Sequence, residues 1–205
     1  MASELLLPLF PLEVVLLPGN PLPLHIFEER YRLLIGECLE QKAEFGVVLC
    51  KDDALARSGC SATVERVVER YPDGRLDIVT VGRRRFEILF TDEQRPYLRG
   101  AVHFFEDDPG TGAAQAVSLR LAGLVEEILR LLPGPSRTGV GAGENAFQVA
   151  AAVPLQLGFR QRLLESRSEA ERVAWLCEYL EKLAPRLQLA RRVERVARSN
   201  GSGRK

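Results

Sequence analysis

Histidine is nearly absent from this chain. Its 205 residues include only His25 and His103. His25 is followed by Glu28, but one His and one carboxylate fall short of a catalytic zinc's ligand set, and no H-E-x-x-H occurs. His25 is therefore expected to be a hydrogen-bonded structural residue. Cysteine is also scarce: Cys38, Cys50, Cys60 and Cys177 form no C-x-x-C pair and have no His at metal-site spacing. Reduced, mostly buried thiols are expected. Net charge is missing altogether, with 28 Lys+Arg against 28 Asp+Glu, so no global field favours nucleic acid or an anionic membrane. No apolar run approaches the roughly 20 residues needed to span a bilayer. Met1-Ala2-Ser3-Glu4 lacks a basic leader and prolines break the apolar run behind it, so cytoplasm is the expected location. No lysine lies in the glycine-rich stretch Gly134 to Gly141, which excludes a phosphate loop. Nothing around Ser61, Ser118 or Ser136 resembles a nucleophile elbow. The chain is expected to be no enzyme and to hold no cofactor or metal.

What is present is a large apolar fraction, 46%, with 27% charged residues, enough for one large domain or two small ones. The first half reads as sheet. Leu5 to Phe10, Val14 to Leu17 and Leu22 to Phe27 read as extended pieces separated by proline turns. Pro21 and Pro23 place the third at a sheet edge. Glu28 to Lys42 reads as a helix, with Tyr31, Leu34, Ile35, Cys38 and Leu39 on one face. Phe45 to Cys50 reads as a strand buried on both sides. Ser61 to Tyr71 and Arg75 to Phe90 form a hairpin about Asp73-Gly74, with a bulge or bend expected at Gly82. Tyr97 to Phe105 completes the set.

The loop Glu106 to Gly112 separates a helical second half. Val117, Leu121, Leu124, Ile128 and Leu132 make the stripe of a helix over Ala113 to Leu132. The run Arg137 to Gly143 reads as a mobile loop. Helices follow over Glu144 to Val153, Leu157 to Glu165 and Ser168 to Leu183, the last with a Ser168/Glu171 capping box. Pro185 either kinks it or starts another. The tail from Arg186 is basic, with seven basic residues against Glu194. The expected division is a β-domain over 1–108, a helical domain over 113–198 and a flexible tail over 199–205. Arg83-Arg84-Arg85 is the best basic patch. Simple alternation puts Arg83 and Arg85 on one face, which is thin for nucleic acid.

Three stretches carry a family likeness: Leu7-Pro8-Leu9-Phe10-Pro11-Leu12, Leu17-Pro18-Gly19, and Leu22-Pro23-Leu24-His25-Ile26-Phe27-Glu28-Glu29-Arg30-Tyr31. With Phe45-Gly46-Val47-Val48-Leu49, Asp73-Gly74-Arg75-Leu76, Gly82 to Ile88 and Val153-Pro154-Leu155, they resemble the N-terminal substrate-recognition domain of Lon-type ATP-dependent proteases. The resemblance implies an α+β fold: a PUA-like pseudo-β-barrel with one inserted helix, then a C-terminal α-helical bundle. No ATPase or Ser-Lys peptidase sequence follows the helices, so it implies a stand-alone, non-catalytic protein-binding module, an adaptor for proteolysis. The implied partners are unfolded or tagged polypeptide segments and a separate protease. An RNA-binding PUA-like protein is the alternative. Phe10, Leu24, Phe27 and Tyr31 are candidates to line a peptide groove, and Arg83 and Arg85 to contact a partner.

Overall fold

In the computed structural model, which describes residues 6–132 and 145–201, the first half is a single mixed sheet. Its strands are β1 (Leu7–Leu12), β2 (Pro21–Ile26), β3 (Phe45–Lys51), β4 (Ala54–Arg70), β5 (Leu76–Asp92) and β6 (Arg99–Phe105). Helix α1 (Glu29–Gln41) is inserted between β2 and β3. Four helices follow: α2 (Gln115–Leu131), α3 (Ala146–Ala152), α4 (Leu157–Glu165) and α5 (Glu169–Gly201). The fold is α+β. The chain divides into two compact units, Met1–Asp107 with Leu155–Glu165, and Asp108–Pro154 with Ser166–Lys205.

In the first unit the ladder closes on itself. β1 pairs in parallel with β3 and antiparallel with β6, and β6 also pairs with β5. With β3–β4 and β4–β5 this makes a five-strand ring, a solution that leaves few open edges. β5 is long because its first half carries β2 and its second half β6. Two tight turns fix the register. Asp52 and Asp53, both at positive φ, link β3 to β4. β4 thus begins at Ala54, ahead of the expected strand start at Ser61. At the β4–β5 turn, Gly74 alone has positive φ, and Tyr71 N–H donates to the Arg75 carbonyl at 3.0 Å.

Phe86 fills the ring. It is fully buried with Leu7, Leu9 and Val48, and its ring occupies space vacated by glycines. A Cβ on Gly46 or on Gly59 would lie 2.6 Å from Phe86 Cζ. On the other side, Phe10 packs against Tyr31 of α1, the rings tilted with centroids 4.1 Å apart, and lies 6.4 Å from Phe45. The predicted face of α1 is buried at Tyr31, Leu34, Ile35 and Cys38.

The expected extended piece Val14 to Leu17 is not a strand. Val15, Leu16 and Leu17 are buried, yet they lie outside the ladder. The turn that follows them is fastened at Gly82, whose N–H donates to the Asn20 carbonyl and whose carbonyl accepts from Gly19 N–H. A Cβ at Gly82 would sit 2.3 Å from the Leu17 carbonyl oxygen. Gly82→Ala is therefore expected to destabilise the first unit by about 1–3 kcal/mol, read as a lower urea midpoint at constant slope.

Among the cysteines, Cys38, Cys60 and Cys177 are buried and all four are free. Burial pushes the Cys38 thiol up to about 11 and the Cys60 thiol up to about 12.

In the second unit, α2 buries Leu121, Val125 and Ile128, so Val125 rather than Leu124 carries the centre of the stripe. α3 starts with a full capping box, Asn145 with Gln148. At the head of α5, Ser168 Oγ accepts from Glu171 N–H at 3.3 Å, but the Glu171 carboxylate takes the Ser166 hydroxyl instead of closing the box. α5 continues through Pro185. The expected mobile loop Arg137–Gly143 and residues 202–205 of the expected tail lie outside the described residues. α4 belongs to the first unit, where Gln161 Nε2 donates to the Ser58 carbonyl at 3.1 Å.

Candidate functional site

The start of α1 is where the sequence changes from apolar to charged, and its geometry makes a surface. Glu28 is the N-cap residue, in extended conformation, but its side chain does not cap. It holds Arg30 instead, at 2.9 Å from Nε and 2.8 Å from Nη2. The Arg30 guanidinium lies 4.5 Å from the centre of the Tyr31 ring, and Tyr31 packs inward against Phe10. Opposite stands the loop Glu93 to Leu98 between β5 and β6. Glu37 of α1 clamps it, accepting from Arg95 Nη1 at 3.1 Å and from the Tyr97 hydroxyl. Leu9 N–H fastens the loop's end through the Leu98 carbonyl at 2.8 Å.

Two adjoining cavities open between α1 and this loop. One, of about 420 Å³, is walled by Pro11, Tyr31, Tyr97 and Leu98. The other, of about 720 Å³, is walled by Glu28, Glu29 and Leu33. Arg30 and Pro96 line both. Leu33 is 41% exposed, an aliphatic side chain on the open side of an amphipathic helix. The two tyrosines stay protonated well into the alkaline range. Burial raises the Tyr31 phenol, helped by Glu28 and opposed by Arg30. Burial and the bond to Glu37 push Tyr97 up to about 12.

A folded pKa above the ordinary value of about 10 for tyrosine means that the folded state binds the extra proton between those two pH values. Stability is thus expected to be intact below pH 10 and to fall as pH rises toward 12. Absorbance at about 295 nm should show late phenolate formation that becomes ordinary in urea.

The residues picked from sequence scatter. Phe10 is 5% exposed and belongs to the core. Tyr31, at 7%, is mainly core but lines the smaller cavity. Leu24 is half-buried on β2. Phe27 is 61% exposed and stacks on His25 at 6.0 Å, but does not line either cavity. His25 Nδ1 lies 2.5 Å from Asp77 Oδ1, and Asp77 accepts from the Tyr71 hydroxyl at 2.7 Å. These bonds hold the Asp77 carboxyl below the usual range.

Arg83 and Arg85 do not share a face. Opposite Cys60 and Ala62 stand Arg85 and Gly82, so β5 carries one residue more than its partner there. This bulge breaks the alternation. Arg83 and Arg84 are both exposed and Arg85 is buried. Arg83 donates to Thr63 Oγ1 at 2.9 Å and Arg84 to Glu44 at 3.0 Å. Arg85 donates to Asp107 at 2.6 Å and to the Leu164 carbonyl at 3.2 Å.

β2 is the outer strand, paired only with β5. The Leu22 carbonyl accepts from Thr80 Oγ1 at 2.9 Å and so faces β5. By the alternation of an antiparallel pair, Pro21, Pro23 and His25 turn their backbones outward. Only His25 among them retains an N–H, so the edge is poorly suited to accept another strand.

Leu33, Pro96, Tyr97 and Glu37 were missed in the sequence. The available signals were weak: Leu33 lies just off the buried seam of α1, and Arg95-Pro96-Tyr97 looks like an ordinary turn. Among the described residues no group of three His, Cys, Asp or Glu side chains is placed to hold a metal ion, and no helix is long and apolar enough to cross a membrane.

Apolar and charged side chains together line this open groove, a candidate site for a ligand in a binding domain. The comparisons agree. Residues 6–182 match the model of the ATP-dependent protease La (LON) substrate-binding domain. The chain is similar to a Lon protease of Parabacteroides distasonis, 34% identical over 110 residues, covering 49% of this chain and 13% of the relative. It is also similar to a Lon protease of Anaeromyxobacter dehalogenans, 24% identical over 96% of this chain and 25% of the relative. Among solved structures, the Lon N-terminal domain protein from Xanthomonas campestris superposes with TM-score 0.69 at 29% identity. It covers 85% of this chain and 98% of that one. The chain belongs to the Lon substrate-binding domain family, and it spans about a quarter of the length of the full Lon protease from Anaeromyxobacter dehalogenans.

Proposed function

We propose that this chain captures unfolded or tagged polypeptide segments without altering them, and holds them for an ATP-dependent protease, as an adaptor does. On this reading residues 1–108 make a PUA-like pseudo-barrel, the helices over 113–198 make a bundle from which α4 is lent to the first unit, and the protein works in the cytoplasm. The observation that carries the reading is the pair of adjoining cavities between α1 and the Glu93–Leu98 loop, each with room for side chains of an extended ligand. The family's description as substrate-binding supports it. The proline-blocked edge of β2 moves the expected mode away from strand addition and toward side-chain capture in this groove. The RNA alternative loses part of its support, because Arg85 is buried and committed to an ion pair with Asp107.

The test is fluorescence anisotropy with a fluorescein-labelled, unstructured peptide of about 20 residues, rich in Leu and Phe and without net charge. Saturable binding is expected, weakened about tenfold by Leu33→Asp, which puts a charge on the apolar floor. Absence of saturable binding, or equal affinity for the variant, contradicts the reading.

A further inference from the structure

Charge around the groove is unevenly paired. Five charged residues line the two cavities: Glu28, Glu29, Arg30, Glu93 and Arg95. Both arginines are already neutralised, Arg30 by Glu28 and Arg95 by Glu37 from behind the wall. Among the described residues neither Glu29 nor Glu93 has a cationic or hydrogen-bonding side-chain partner. The α1 amino terminus offsets about half a charge near Glu29. The groove is left with an excess of roughly one and a half negative charges beside apolar walls. The whole chain carries no net charge, so this excess belongs to the groove and not to a general field of the molecule.

We infer that the groove selects polypeptide segments in which an arginine or lysine stands beside aliphatic or aromatic residues, an inference that rests on the polypeptide-binding reading above. The apolar side chains of such a segment meet Leu33 and Pro96. Its cation, reaching past them, meets Glu29 on the helix side or Glu93 on the loop side. An acidic segment with the same apolar residues meets like charge at both rims, and is rejected by repulsion rather than by shape. Glu29 and Glu93 act here as specificity-determining residues. Both rims are open to water, so the selection is electrostatic, salt-sensitive and felt mainly in the rate of association.

Three labelled peptides with one shared Leu/Phe/Tyr centre test this on the full chain, flanked respectively by Arg and Lys, by Ser and Gln, and by Asp and Glu. At about 20 mM salt the basic peptide is expected to bind roughly fivefold tighter than the neutral one, and the acidic one correspondingly weaker. At about 300 mM salt the gap closes. The double variant Glu29→Gln with Glu93→Gln is expected to bind all three alike. Glu93→Gln alone, in the loop and remote from helix stability, is expected to remove about half of the gap. Equal binding of the three peptides by the unmodified chain overturns the charge selection and leaves polypeptide capture standing, as does a gap that survives the double variant. Failure of every peptide to bind overturns polypeptide capture, and the selection with it.

Discussion

Phe86→Ala is expected to cost the first unit about 3–5 kcal/mol, a large part of the stability of a domain this size. Few positions in the chain are so fully specified by their surroundings. Phe86 is completely buried, its ring set edge-on against Phe104 at 6.1 Å. Gly46 on β3 and Gly59 on β4 leave it the room a Cβ would take. Truncation opens a cavity walled by rigid strands of a closed ring, which cannot collapse to fill it. Urea unfolding followed by tyrosine near-UV circular dichroism reads the loss. Three of the four tyrosines, Tyr31, Tyr71 and Tyr97, lie in this unit. A coupled control sharpens the argument. Gly46→Ala alone should also destabilise, because its Cβ meets Phe86 and Leu9 side chains at 2.6 and 2.8 Å. In a Phe86→Leu background it should cost much less, a coupling expected only of neighbours.

Glu169→Ala is expected to cost the second unit about 3 kcal/mol, by taking a carboxylate partner from a buried cation. Arg172 is 1% exposed. Its Nε and Nη2 donate to Glu169 Oε2 at 3.1 and 2.6 Å, and its Nη1 to the Ser166 carbonyl at 2.9 Å. The guanidinium lies 4.4 Å from the centre of the Phe147 ring. Glu169 also accepts from Ala146 N–H at 2.7 Å, so one carboxylate joins the first turn of α5 to the start of α3. The single tryptophan, Trp175, lies in α5, so its fluorescence follows this unit specifically. Replacing both partners, Glu169→Gln with Arg172→Met, should lose less than Glu169→Ala alone, because the buried cation is removed together with its carboxylate.

Much of the fold was legible because local chemistry and tertiary structure agree. The seam Tyr31, Leu34, Ile35, Cys38 reads as helix and is helix. Prolines 21 and 23 read as an edge and sit at one. Two departures have a common cause, since neither is encoded in the period of the side chains. Val15 to Leu17 has strand composition, but the turn that follows it is pinned to Gly82 through Gly19 and Asn20, and the segment packs as a buried stretch outside the ladder. Arg83 to Arg85 has strand alternation, but one extra residue on β5 sends Arg84 to the surface and Arg85 inward, where α4 delivers the Leu164 carbonyl from far along the chain. The groove was the least legible part. It is made by Glu37 holding Arg95 and Tyr97, residues about sixty positions apart, and no local signal announces such a clamp. The apolar entry motif drew attention to Phe10 and Tyr31, which are conspicuous in sequence because they build the core beneath the groove. Leu33 and Pro96, which face the opening, are not conspicuous.

Amide chemical-shift mapping of the full chain, titrated with the neutral Leu- and Phe-rich peptide, tests the central claim most directly. The account predicts the largest shifts at residues 28–33 and 93–98, on the two sides of the groove, and their loss in Leu33→Asp. Shifts confined to another exposed apolar site, such as Leu89 and Phe90 on β5 or Leu189 and Val193 on α5, would contradict it, and so would a spectrum that the peptide leaves unchanged.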